Sequence, residues 1–118
     1  MGTFSVTIEI GDPEGRRWEA VEALVDTGSS DTAVPGSLLR RLGIVPHDRW
    51  PFRMADEHVE ELEVGQTWVR VQGRAAIRIV VFAAEGTQAL LGADTLEGLS
   101  LGVDPKGRRL IRVPGLLM

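Results

Sequence analysis

The stretch Ala23-Leu24-Val25-Asp26-Thr27-Gly28-Ser29-Ser30-Asp31-Thr32-Ala33-Val34-Pro35 decides how the rest of the chain is read. An apolar run, Ala23 to Val25, delivers an acid directly into a turn of small hydroxyl residues, and the chain becomes apolar again at Ala33-Val34. A buried strand ending in Asp-Thr-Gly holds a carboxylate at the edge of a core. Gly28 has no Cβ and tolerates positive φ, which permits a tight turn there. Hydroxyls and turn amides nearby can donate hydrogen bonds to the carboxylate. A fixed position, partial desolvation and nearby donors are what a general acid or base requires. The same residue types are also ordinary turn formers, so the motif takes its meaning from the rest of the chain.

Outward from this stretch the chain reads as short strands. Phe4, Val6, Ile8 and Ile10 alternate with Ser5, Thr7 and Glu9, the period of a half-buried strand. The turn Gly11-Asp12-Pro13-Glu14-Gly15 leads into a second strand over 16–25. Residues 32–34 form a short strand. Pro35 opens a helix whose Leu38, Leu39 and Leu42 share a face, with Gly43 at its C-terminal cap. Residues 48–55 and 58–64 make the arms of a hairpin with Ala55-Asp56-Glu57 near its tip. Gly65 punctuates, and 67–72 and 75–83 follow as strands, with Ile77, Ile79 and Val81 on one face of the second. Ala89-Leu90-Leu91 is a buried strand running into Gly92, and 93–99 form a short helix. Residues 101–103 and 108–113 make a last hairpin around Asp104-Pro105-Lys106-Gly107. Short strands at regular turn spacing predict an all-β barrel or sandwich with one or two short helices.

Composition narrows the function. The 118 residues predict a single domain over 1–118, long enough for a core without disulfides. There is no cysteine, which excludes a thiol nucleophile and a Cys-ligated metal and suits a reducing, cytoplasmic setting. With only His47 and His58, a structural zinc site is unsupported, and no metal or other cofactor is expected. The net charge of −4, with arginine pairs scattered among acids, argues against nucleic acid. No apolar segment is of signal-peptide type or long enough to span a bilayer, so no membrane partner is expected. Ser29 and Ser30 do not sit in a Gly-x-Ser-x-Gly elbow, and no Gly-rich phosphate loop is present.

A second signal lies about 65 residues beyond Asp26, where Leu90-Leu91-Gly92 precedes a helix. Leu24-Val25-Asp26-Thr27-Gly28-Ser29-Ser30, a mid-chain hairpin, Leu90-Leu91-Gly92-Ala93-Asp94-Thr95-Leu96 and Val103-Asp104-Pro105 together resemble the retropepsin family of aspartic proteases, most closely its stand-alone bacterial branch. The resemblance implies an acid-protease barrel. It implies that Asp26 is the catalytic aspartate, that the Thr27 hydroxyl reaches the partner copy's backbone, and that Gly28 lends backbone to the cleft. It implies that Ser29, Ser30, Asp31 and Leu91 border bound peptide, Leu91 within a segment packed around the active-site loop. The hairpin 48–64 becomes a flap, with Ala55, Asp56 and Glu57 at its tip.

Hydrolysis by this route needs two carboxylates beside one water, and the chain holds one Asp-Thr-Gly. Asp94-Thr95 is followed by leucine and reads as a helix N-cap. The second carboxylate is therefore expected from a second copy. The expectation is a homodimeric endopeptidase acting on polypeptide, with residues 3–10 and 110–118 as candidates for the shared surface. A Ser29 hydroxyl donating to the carboxylate favours its ionised form, so an acidic optimum is expected. Two features depart from the family pattern. The flap tip lacks glycine, and Ala93 stands where the retroviral branch carries an arginine that braces the active-site loop. Trp50 and Phe52 on the flap arm line a substrate pocket or pack in the core. The alternatives are a catalytically silent retropepsin-like module for dimerisation or peptide binding, and an unrelated small β-barrel.

Overall fold

The computed structural model describes residues 4–117. Within them the chain forms β1 (Ser5–Gly11), β2 (Trp18–Val25), β3 (Thr32–Pro35), α1 (Gly36–Arg41), β4 (Asp48–Arg53), β5 (Val59–Val71), β6 (Arg74–Ala83), β7 (Ala89–Leu91), α2 (Ala93–Gly98), β8 (Leu101–Asp104) and β9 (Arg109–Arg112). The large sheet runs β1-β2-β7-β3-β6-β5-β4, and β1 also pairs with β5. That extra pairing, Glu9 opposite Arg70 and Ile10 opposite Val69, closes six strands into a barrel and leaves β4 outside the ring. The Arg70 guanidinium reinforces the closure, 2.7 Å from Glu9 Oε1 and stacked 3.9 Å above the Trp18 ring.

Alternation on β1 places Ile8 and Ile10 in the core, where they meet Val25, Val34, Leu39, Val69, Val80 and Leu91. On β6 the row with Ala76, Val80 and Phe82 turns to the core, and the row with Ile77, Ile79 and Val81 turns away from it. Ile77 is exposed on the outer face. Over the last part of the strand both rows are apolar, so period alone does not choose between them there; α1 and the ring strands do.

Gly65 does not interrupt a strand, and β5 runs unbroken from Val59 to Val71. A Cβ at Gly65 would meet Ile44 at 3.1 Å and Phe82 at 3.2 Å, so the glycine permits close packing rather than a turn. Gly43 does end α1. It sits at φ +85° and donates to the Arg40 carbonyl, while Ile44 donates to the Leu39 carbonyl, the paired bonds of a Schellman motif. Pro51 lies in β4, which has a partner on one side only, so its missing N–H costs no ladder bond.

Asp94 is not the N-cap of α2. Gly92 holds that position with extended backbone and no side-chain cap bond. The last segment, 113–117, carries no regular element, with Leu116 and Leu117 exposed; residues 3 and 118 of the expected shared surface lie outside the described residues.

Candidate active site

The topology around β7 positions the site. β7 pairs with β2 in parallel, Val25 opposite Leu91, and with β3 antiparallel, Ala33 opposite Leu90. It fills the gap between two strands that follow one another in sequence. The loop 26–31 must therefore arch over the end of β7, which suspends Asp26 above the core.

Every turn of that loop is tied. The Asp26 amide donates to the Leu91 carbonyl at 3.0 Å. The carboxylate receives the Gly28 amide on Oδ1 at 2.9 Å and the Ser29 hydroxyl on Oδ2 at 3.3 Å. The Ser29 amide donates to the Asp26 carbonyl at 3.1 Å. Gly28 thus contributes a donor, and its φ lies outside the left-handed region that the sequence suggested. The N-terminus of α2 completes the frame, Ala93 donating to the Ser29 carbonyl at 2.8 Å and Asp94 to the Ser30 carbonyl at 2.9 Å. Gly92 passes so close that a Cβ would sit 2.4 Å from the Asp31 carbonyl oxygen. That close approach explains glycine after the apolar pair.

A cleft of about 730 Å³ opens over this loop. Asp26, Gly28, Ser29, Ser30 and Asp31 form its floor, and Ala55 reaches it from the flap. Thr27 is exposed beside it, Asp56 and Glu57 are exposed at the flap tip outside its lining, and Leu91 is fully buried beneath it. The apolar wall comes instead from Leu90 and Val81, and from Trp50, Phe52, Met54 and Leu62 of the flap. Trp50 and Phe52 line the cleft rather than the core. The signal that reaches them is their alternation with Arg49, Pro51 and Arg53 along β4, which puts both on one face of the flap. Leu90 was hidden from sequence because both residues of the pair are apolar; only the register with Ala33 decides which faces the cleft.

Two charges colour the cleft beside Asp26. Burial pushes the Asp31 carboxyl above the ordinary range; the Ser30 hydroxyl, 3.3 Å away, pulls it down, the nearby Asp94 raises it, and Arg78 lowers it. Arg53 lies on the opposite wall. At the flap tip His58 sits between Asp56 and Glu60, with its Nε2 3.3 Å from Glu60 and its Nδ1 in contact with Asp56; both acids raise its pKa, Asp56 the more. Among the described residues no cluster of three or more His, Cys, Asp or Glu side chains is arranged to hold a metal ion. No helix among them is long and apolar enough to cross a membrane.

The sequence model of the family described as "gag-polyprotein putative aspartyl protease" matches residues 16–98. No curated protein matches the chain significantly. The matched span contains the Asp26 loop, the flap hairpin and the β7–Gly92–α2 unit, and it covers well over half of the 118 residues. The chain belongs to the retropepsin-like aspartyl protease family.

Proposed function

We propose that the protein is an aspartic endopeptidase that works as a homodimer, with residues 1–118 forming one catalytic domain and one Asp26 supplied by each copy. A half-buried carboxylate held by the Gly28 amide and the Ser29 hydroxyl, on the floor of a cleft roofed by Trp50, Phe52, Met54 and Leu62 of the flap, carries this reading. Family membership supports it.

In this mechanism two carboxylates meet across a two-fold axis and share one proton, because like charges about 3 Å apart do not both ionise, as in aspartic proteases generally. The ionised member takes a proton from water. The protonated member donates to the scissile carbonyl as the tetrahedral centre forms. The proton is then returned to the amine as the C–N bond breaks. Gly28 and Ser29 hold one acid at each atom, and Ser30, Asp31 and Ala55 border the bound chain. The flap tip with Asp56 and Glu57 folds over it. Leu91 supports the loop from below through its carbonyl rather than touching peptide.

Dimerisation is supported by the single Asp-Thr-Gly and by the exposed apolar tail, where Leu116 is 83% and Leu117 97% accessible. Exposed Thr27, beside Asp26, is free of structural duty in the core and suits contact with a second copy. A cytoplasmic setting suits a chain without cysteine.

The test is cleavage of an unfolded protein across a pH series, with Asp26→Asn and a pepstatin-type inhibitor as controls. Cleavage that vanishes with either control is expected. Absence of cleavage at every pH from a protein that is dimeric would favour the silent binding module.

A further inference from the structure

We propose that Arg78, on β6, is a positioning residue for the Asp26 loop, acting through Asp94 and α2. Arg78 shares the inward row of β6 with Ala76, Val80 and Phe82, yet it is not in the apolar core. Its guanidinium grips the Asp94 carboxylate: Nη2 is 2.8 Å from both Oδ atoms and Nε is 3.3 Å from Oδ2. The two side chains are only 27% and 38% exposed, so the pair is partly shielded and its bidentate geometry is directional.

What this pair holds is the catalytic frame. The amides of Ala93 and Asp94 are the donors to the Ser29 and Ser30 carbonyls. Fixing the Asp94 side chain fixes those amides, and through them the residues that hold Asp26. α2 needs such a brace. It has six residues, too few for a helix to persist unaided, with no side-chain N-cap and no basic residue in its last turn.

The helix surface is cut to fit the guanidinium. A Cβ at Gly98 would lie 2.5 Å from Arg78 Cζ and Nη1, so the guanidinium rests across α2 from Asp94 to a glycine one turn later. Arg74, two positions back in the same row of the strand, donates to the Leu99 carbonyl at 2.9 Å and holds the other end of α2. The division of labour is spatial: Arg74 secures the end remote from the loop, Arg78 the end in contact with it.

The kinetic arm of the test rests on the proteolytic reading; the exchange arm does not. Amide hydrogen exchange is measured on the full chain for Arg78→Met, Arg78→Lys and Gly98→Ala, together with kcat and KM on an unfolded protein substrate. Arg78→Met is expected to speed exchange at the Ala93 and Asp94 amides by about tenfold or more while central β5 and β6 amides hold their wild-type rates. kcat should fall about tenfold with KM changed less than about twofold, because the reacting geometry loosens while the cleft walls remain. Arg78→Lys should recover part of both losses. Gly98→Ala should move both in the direction of Arg78→Met, although alanine is a better helix former than glycine. Unchanged exchange at Ala93 and Asp94, or an equal rise at every amide, would overturn the proposal. Wild-type protein that cleaves nothing would remove the proteolytic reading and leave the exchange result to decide the brace.

Discussion

The Thr32 hydroxyl accepts the Gly92 amide at 3.0 Å and meets the Thr95 hydroxyl at 2.6 Å, and both threonines are fully buried. It thereby joins β3, the end of β7 and α2 beneath the Asp26 loop. Thr32→Val keeps the shape but leaves a buried amide and a buried hydroxyl without their partner. Denaturant unfolding should show a loss of about 2 kcal/mol, the ordinary cost of such orphaned groups. Asp31 makes the opposite case. Its carboxyl is raised, first by burial, so in the folded state its ionised form is disfavoured relative to the unfolded chain. Ionisation of Asp31 thus opposes folding above the raised value, and the opposition fades as pH falls through that value and below the unfolded one. Asp31→Asn should raise the melting temperature at pH 7 by about 1–3 °C, with the gain shrinking toward pH 3. A gain equal at both pH values would mean that charge is not its source.

At the scale of the element, the flap is where sequence and structure diverge in an informative way. The tip lacks glycine, yet the turn forms: Glu57 donates to the Met54 carbonyl at 2.9 Å, Met54 donates to the His58 carbonyl at 2.8 Å, and Glu57 itself takes φ +78°. A position that glycine usually fills is occupied by a residue that adopts it under strain, after a turn of the kind that closes three-residue hairpin loops. His58 then bridges Asp56 in the tip and Glu60 on the arm that follows it. These acids raise its pKa above the ordinary histidine value, so the charged bridge stabilises the flap below the ordinary histidine range and is lost as pH rises through the raised value. An NMR titration of His58 should give a midpoint above 6.5. Asp56→Asn should bring the midpoint down, and a midpoint that does not move would show that the bridge is absent in solution. The flap arms were legible as two strands around a turn, and residues 48–53 and 59–64 do pair, with Trp50 opposite Leu62. The tip conformation was not, because nothing local distinguishes a strained glutamate from an ordinary turn residue.

At the scale of the whole molecule, the described chain carries one Asp-Thr-Gly loop and half of the machinery that the proposed reaction needs. Mixing supplies a sharp measure of that dependence. Wild-type and Asp26→Asn chains, combined in equal amounts under conditions where subunits exchange, should leave about a quarter of the dimers as wild-type pairs. Activity should therefore fall to about half of that given by the same amount of wild-type chain alone. Activity that stays proportional to wild-type chain would show that one copy suffices. Specific activity should also fall on dilution as dimers part, measured alongside sedimentation.

The sequence by itself determined the all-β class, the order of strands and short helices, the catalytic candidate Asp26 and the glycine after Leu90-Leu91. Each of these follows from local rules: alternation, turn chemistry and the need for a small residue at a crowded turn. Tertiary structure alone decided that β5 runs through Gly65, that Asp94 answers Arg78 instead of capping a helix, and that Leu90 faces the cleft while Leu91 is buried. The reason is common to all three. Both residues of an apolar pair, or both roles of an acid or glycine, satisfy the same local rules. The choice falls to partners such as Ala33, Phe82 and Arg78, which lie many residues away along the chain and are brought against these residues by the pairing of strands and the docking of α2.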